Sequence, residues 1–164
     1  MVSTIAIGGF MGVGKTTVGR LLAQELGLQF HDLDAEVEAS AGQSVSAIFS
    51  AEGEAGFRVR EAAILGALLD QGPSVLALGG GTLHHGCNLQ RIRAAAELVI
   101  LNMPWSAIRD RLGEESHGRP LWVDAERRYR QRVDGYLNSG QVLEVEGLSA
   151  ERVVAKIKEV VGCA

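Results

Sequence analysis

The chain has 164 residues, a formal net charge of −4, 46% hydrophobic residues and only 5% aromatic ones. That length suits one domain, spanning residues 1–164, with one core built on aliphatic side chains. The negative balance and the lack of a basic run argue against a nucleic-acid partner; no apolar stretch approaches the roughly 20 residues of a membrane span, and the first strand begins too early to leave room for a signal peptide. Two cysteines, Cys87 and Cys163, lie far apart and form no metal spacing, so a reduced, cytoplasmic protein with structural or incidental thiols is expected.

Residues 2–8, with Ile5, Ala6 and Ile7, read as a first strand. Gly9-Phe10-Met11-Gly12-Val13-Gly14-Lys15-Thr16 follows and fits G-x-x-x-x-G-K-T. Residues 15–26 then repeat Val18, Leu21, Leu22 and Leu26 at helical spacing, and Gly27 ends that helix. A strand, a glycine-rich turn and a helix make a phosphate-binding loop. The backbone N–H groups of Gly12, Val13, Gly14, Lys15, Thr16 and Thr17 can point at phosphate oxygens, and the helix N-terminus adds partial positive charge. Lys15 would reach the β- and γ-phosphates, and the Thr16 hydroxyl would hold Mg²⁺. The competing reading is a chance glycine-rich turn.

Residues 28–31 form a short second strand, with Asp32-Leu33-Asp34 at its end. Alternating strands and helices imply a parallel sheet with right-handed crossovers, and ligands bind beyond the carboxyl ends of such strands. Asp32 and Asp34 therefore face the same crevice as the loop. One could hold a Mg²⁺-bound water while the other orients a substrate hydroxyl; alternatively, this is a solvated turn with Asp34 capping a helix over 35–40. Residues 42–50 suggest a short helical turn with Val45, Ile48 and Phe49 inward. A long helix then runs to residue 69 with Ala62, Leu65, Leu68 and Leu69 on its apolar face. Arg58 and Glu61 share a face of that helix. They can pair with each other, or Arg58 can offer its planar fork to a substrate carboxylate.

Residues 75–78 are a continuous apolar run, the mark of a central strand, and end in Gly79-Gly80-Gly81. Three successive glycines fit where a ligand must approach the backbone closely, with the Gly80 and Gly81 N–H groups as donors. His84-His85 beside Cys87 lacks any metal-ligand spacing. Residues 88–95 read as a helix, 98–101 as a fourth strand, and 105–112 as a helix carrying Arg109 and Arg111. Residues 113–118 are polar without periodicity and lead into Arg119-Pro120-Leu121-Trp122. A polar loop carrying an arginine reads as a lid over ATP, over about 113–123, with Arg119 offsetting charge on the transferred phosphoryl group. The alternative is an exposed loop with a solvated arginine. Residues 124–137 form a helix whose Arg127, Arg128, Arg130 and Arg132 are mostly a solvated face. A fifth strand over 142–145 and a final amphipathic helix from Ser149 to about residue 161 complete the chain.

Taken together, residues 9–20, Asp32-x-Asp34, Gly53-Glu54, Phe57-Arg58-x-x-Glu61, Gly79-Gly80-Gly81 and Arg119-Pro120-Leu121 resemble the shikimate kinases in order and spacing. The resemblance implies an α/β, three-layer fold: a five-stranded parallel sheet flanked by helices, of the P-loop kinase type, with a mobile lid. It implies transfer of the ATP γ-phosphoryl group to the 3-hydroxyl of shikimate, with Mg²⁺, in aromatic amino-acid biosynthesis. Residue by residue, Lys15, Asp34 and Arg119 would be catalytic, and Thr16 and Asp32 would serve Mg²⁺. Arg111 and Arg119 would lie on the nucleotide. Asp34, Arg58, the Gly79–Gly81 backbone and Arg132 would bind shikimate, with a substrate-binding segment over about 32–61. The family usually shows Arg-x-Pro-Leu-Tyr after the lid; here Arg132-Val133-Asp134-Gly135-Tyr136 keeps only the spacing, and the stretch before it is several residues shorter than usual. A monomer is expected. Two alternatives stay open: a same-fold kinase for another small hydroxylated acid such as gluconate, and a non-catalytic nucleotide-binding module. A switch GTPase is disfavoured, since no N-K-x-D occurs and the D-x-x-G at 110–113 falls in a helix.

Overall fold

The computed structural model describes residues 3–113 and 124–163. Five strands form one sheet: β1 (Thr4–Gly8), β2 (Gln29–Asp32), β3 (Ser74–Ala77), β4 (Ala96–Asn102) and β5 (Gln141–Glu144). Their order is β2-β3-β1-β4-β5 and every pairing is parallel. β1 lies in the middle, with Ile5 opposite Val75 on one side and Glu97 on the other. Both β1 and β3 are buried along their whole length, which explains their unbroken apolar runs. This is the expected five-stranded sheet, with strand bounds shifted by a residue or two from those read in the sequence.

Helices α1 (Lys15–Leu26), α2 (Leu33–Ala41), α3 (Val45–Asp70), α4 (Asn88–Ala95), α5 (Trp105–Leu112), α6 (Ala125–Leu137) and α7 (Ala150–Val161) flank the sheet. A 3₁₀ turn, η1 (Thr82–His84), follows the glycine run. α1 packs against α7, and α3 against α4. α1 buries Val18, Gly19, Leu22 and Ala23, leaving the expected Leu21 and Leu26 only half-buried. Burying the aliphatic side chains of the main cluster supplies the chief favourable term of folding, on the order of 25 cal/mol per Å² of apolar surface.

Residues 32–70 differ most from expectation. α2 starts earlier, at Leu33, because the Asp32 carboxylate, not Asp34, accepts from Ala35 N and caps it. Helical structure then runs from Val45 to Asp70 with one break, at Gly53, where φ is 70° and ψ is −176°. Only glycine visits that region readily, so Gly53 redirects the helix without a loop. Val37, Ile48 and Phe57 make a second small core here, with Phe49 tilted onto Phe57 at 4.8 Å. α2 and α3 thereby form a separately packed corner that presents Asp34 on one side and Arg58 on the other.

Candidate active site

The chain leaves β1 through Gly9, Gly12 and Gly14, all at positive φ. The turn is tight: a Cβ on Gly12 would lie 2.6 Å from Leu112 Cδ1. Gly14 is the N-cap of α1 and supplies no side-chain cap. The first N–H groups of α1 therefore remain donors for an anion at the loop. Lys15 folds back so that its Nζ donates to Gly9 O at 2.8 Å and Phe10 O at 3.0 Å. Burial of the ammonium lowers its pKa to about 8, against the opposing charges of Asp34 and Asp32. The Arg111 guanidinium reaches the same loop from α5, with both Nη atoms 3.7 Å from where a Gly14 Cβ would be. On the loop's other flank, Phe10 packs edge-on against Trp105 and Tyr129, at 6.3 and 5.5 Å.

At the loop's mouth, Thr16 Oγ1 donates to Asp32 Oδ2 at 2.7 Å. A hydroxyl and a carboxylate oxygen at the ends of neighbouring elements are hard ligands of the kind Mg²⁺ takes, alongside waters and nucleotide phosphates. The residues fit that ion. Among the described residues no group of three His, Cys, Asp or Glu could hold a metal alone, so phosphate oxygens would have to complete the shell. His84, His85 and Cys87 form no such group among the described residues.

Asp34, in the first turn of α2, sits between the loop and the clamp. Burial pushes its carboxyl up to about 6, reinforced by Asp32 and Glu61 and opposed by Lys15 and Arg58. The Gly79 backbone lies directly against it: a Cβ there would meet Asp34 Oδ1 at 2.8 Å, Thr82 Oγ1 at 3.0 Å and Glu61 Oε2 at 3.2 Å. Any side chain would wedge these three oxygens apart.

Arg58 is gripped from two sides. Its Nη1 donates to Glu61 Oε1 at 2.9 Å, while Nη2 and Nε donate to Glu54 Oε1 at 3.2 and 3.4 Å. Glu61 is fully buried; its second oxygen accepts from Thr82 Oγ1 at 2.7 Å, and Asn88 Nδ2 donates to Thr82 O at 3.1 Å. Glu61 is thus both an ion-pair partner and a fixed anchor, which a bare i, i+3 spacing does not reveal. Its burial makes this pair far more demanding than a surface helix pair, because neither oxygen can lose its donor cheaply. Glu54 also faces His85 Nε2 at 3.4 Å. Gly81 rests against the Arg58 guanidinium with no room for a Cβ.

Of the four arginines on α6, Arg127 and Arg130 pair with Asp124 and Glu126 on the exposed face, as expected. Arg132 does not belong to that face: its Nη1 donates to Gly80 O at 3.2 Å, inside the crevice. The expected lid residues Arg119 and Trp122 lie outside the described residues. The sequence reading missed Thr82, His84 and the Tyr136 hydroxyl. A threonine directly after the glycine run was the one available signal for the first.

Lys15, Thr16, Asp32, Asp34, Arg58, Gly79–Gly81, Arg111 and Arg132 therefore converge on one crevice at the carboxyl ends of β1, β2 and β3. A family model described as shikimate kinase matches residues 11–161. A protein named shikimate kinase from Alkaliphilus oremlandii is 37% identical over 153 residues, 93% of this chain and 89% of that relative. Another so named, from Pseudomonas savastanoi pv. phaseolicola, is 43% identical over 111 residues, 68% of this chain but 63% of its own length. A solved shikimate kinase from Acinetobacter baumannii, in complex with shikimate, superposes with a TM-score of 0.90 at 30% identity, covering 98% of this chain and 93% of that one. A gluconokinase from Sinorhizobium meliloti, with a TM-score of 0.64 at 16% identity, shares the fold alone.

Proposed function

The chain belongs to the shikimate kinase family, and on that premise we propose that it transfers the γ-phosphoryl group of ATP to the 3-hydroxyl of shikimate. The observation that carries this reading is the Arg58 guanidinium, fixed by Glu54 and Glu61 beside Asp34 and a side-chain-free glycine backbone. A fixed planar fork suits a carboxylate, and the crevice between it and the phosphate loop suits a small polyhydroxylated acid.

The steps follow from the groups present. Nucleotide phosphates take the N–H donors at the head of α1, and Lys15 exchanges the Gly9 and Phe10 carbonyls for phosphate oxygens. With a pKa of about 8 its ammonium is already largely charged at neutral pH, and phosphate charge favours that form further. Thr16 and Asp32 would hold Mg²⁺, which when bound neutralises charge on the β- and γ-phosphates. Arg58 and Arg132 receive the acceptor carboxylate, and the glycine N–H groups receive ring hydroxyls. Asp34 accepts the proton of the attacking hydroxyl. The hydroxyl oxygen bonds to the γ-phosphorus as the bond to the bridging oxygen breaks, and the electron pair leaves with ADP. A pKa of about 6 leaves Asp34 ionised at neutral pH yet basic enough for that task. Arg119 completes the reading as the lid arginine. The reading also takes the protein as a cytoplasmic monomer; free Cys87 and Cys163 suit a reducing compartment. No helix of the described residues is long and apolar enough to cross a membrane.

The test is ADP release with Mg-ATP, with and without shikimate, on wild type and Arg58→Ala. Shikimate-dependent turnover that collapses at least about 100-fold in the variant is expected, since a charged hydrogen-bonded pair is lost. Turnover on gluconate but none on shikimate would move the reading to another hydroxylated acid.

A further inference from the structure

Tyr136 lies on the last turn of α6 and is 3% exposed. No role in binding nucleotide or acceptor is assigned to its phenol above. Yet its hydroxyl donates to Gly80 O, the carbonyl that also accepts from Arg132 Nη1. The ring is held in place by His84, which meets it edge-on at 4.8 Å and whose Nε2 lies 3.2 Å from Arg132 O. A buried phenol needs a partner, and here the partner is a backbone atom of the glycine run.

The other half of that peptide matters more. In a trans peptide the C=O of Gly80 and the N–H of Gly81 point in opposite directions. No cis peptide occurs in the described chain. Pulling the Gly80 carbonyl onto α6 therefore turns the Gly81 N–H away from α6. Gly81 is buried, and its N–H donates to no acceptor among the described residues, whereas Thr82 N and His84 N are bonded to Gly79 O and Gly81 O. A buried, unbonded N–H is rare unless a ligand completes it. Gly81 also rests on the Arg58 guanidinium, so this donor and the carboxylate clamp share one small volume.

We propose that Tyr136 is a positioning residue for phosphoryl transfer: by fastening the Gly80 carbonyl to α6 it aims the Gly81 N–H at the acceptor substrate. The proposal rests on the reading that shikimate is that acceptor. It also assigns a division of work between the two donors on Gly80. Arg132 is a long side chain that can leave the carbonyl for a substrate carboxylate. Tyr136, with its ring seated against His84, stays and keeps the peptide oriented.

Tyr136→Phe tests this, because it removes the hydroxyl and keeps the ring. The expected result is a rise of about 5- to 10-fold in KM for shikimate, the worth of one aimed hydrogen bond, with KM for Mg-ATP unchanged within about twofold. In ¹⁵N-glycine-labelled protein, the Gly81 amide signal moves on addition of shikimate in wild type and moves less in the variant at equal saturation. A merely structural tyrosine would instead lower the melting temperature and leave the ratio of the two KM values as it was; that outcome overturns the proposal. So does an unchanged Gly81 response. If wild type itself shows no shikimate-dependent turnover, the acceptor assignment fails. The amide comparison then decides the orientation claim separately: in the ligand-free protein, an unmoved Gly81 signal in Tyr136→Phe refutes it and a displaced one supports it.

Discussion

Thr82→Val isolates the anchor behind the carboxylate clamp. Valine has nearly the shape of threonine, so the substitution deletes one donor and leaves no appreciable cavity. In the wild type, Glu61 is fully buried, with Arg58 Nη1 on one oxygen at 2.9 Å and Thr82 Oγ1 on the other at 2.7 Å. Removing the hydroxyl strands the second oxygen of a buried carboxylate. A hydrogen bond to a charged group contributes about 1.5–3 kcal/mol, so a loss of about 2 kcal/mol is expected. For a domain of this size that lowers the melting temperature by about 4–8 °C, read by circular dichroism under reversible conditions. The same substitution loosens Arg58, because Glu61 is what fixes Nη1, so KM for shikimate should rise several-fold in a coupled ADP assay. Thr82→Ser restores the donor and should return KM toward wild type even if the lost methyl keeps stability low. If the valine variant melts within about 1 °C of wild type and binds shikimate equally well, the hydroxyl is not what satisfies Glu61 and the argument from burial is wrong.

Asp34 gives the pH dependence. Its pKa of about 6 lies above the usual carboxylate value, and it must be ionised to accept a proton, so kcat/KM for shikimate should fall tenfold per unit as pH drops below about 6; Asp34→Asn should abolish turnover. Stability runs the other way: between about pH 4 and 6 the folded protein binds this proton more tightly than the unfolded chain, so Asp34 alone subtracts stability as pH rises through that window. Asparagine should remove that part of the slope in pH-dependent melting curves. For Lys15→Met we expect turnover to fall by at least about 100-fold with weaker Mg-ATP binding, because the ammonium held on the Gly9 and Phe10 carbonyls is the cation that would move to the phosphates. Its melting temperature should stay near wild type, since a desolvated charge leaves with it; a large loss of stability would show that the two loop carbonyls depend on Lys15.

What could be read in advance followed local rules. The phosphate loop, the five strands and the acidic pair each occupy one contiguous stretch, and their chemistry is set by residue type and spacing. What could not be read depends on which groups meet across the sheet. Asp32 rather than Asp34 caps α2 because Thr16, sixteen residues earlier, already holds its other oxygen. Gly53 carries no sign in the sequence of joining two helices, yet its backbone geometry lets helical structure resume at once. Residue type alone does not separate Arg132 from the other arginines of α6; the resemblance singles it out, and the docking of α6 on Gly80 sets it apart from Arg127 and Arg130. The contacts of Thr82 and Tyr136 cannot be read locally, since their partners lie 21 and 56 residues away.

Those separations set an order of assembly. The nucleotide loop joins β1 and α1, which are adjacent in the chain, and its other packing partners, Leu101 and Leu112, precede α6. The acceptor side cannot: the donors on Gly80 arrive 52 and 56 residues later, and β5, which ends the sheet, follows them. Long closures cost entropy before their contacts reward it, so they form last. A nascent chain that has emerged as far as α5 thus carries the phosphate loop but not the finished seat for the acceptor. Phosphoryl transfer to the acceptor therefore waits on the docking of α6 against the glycine run.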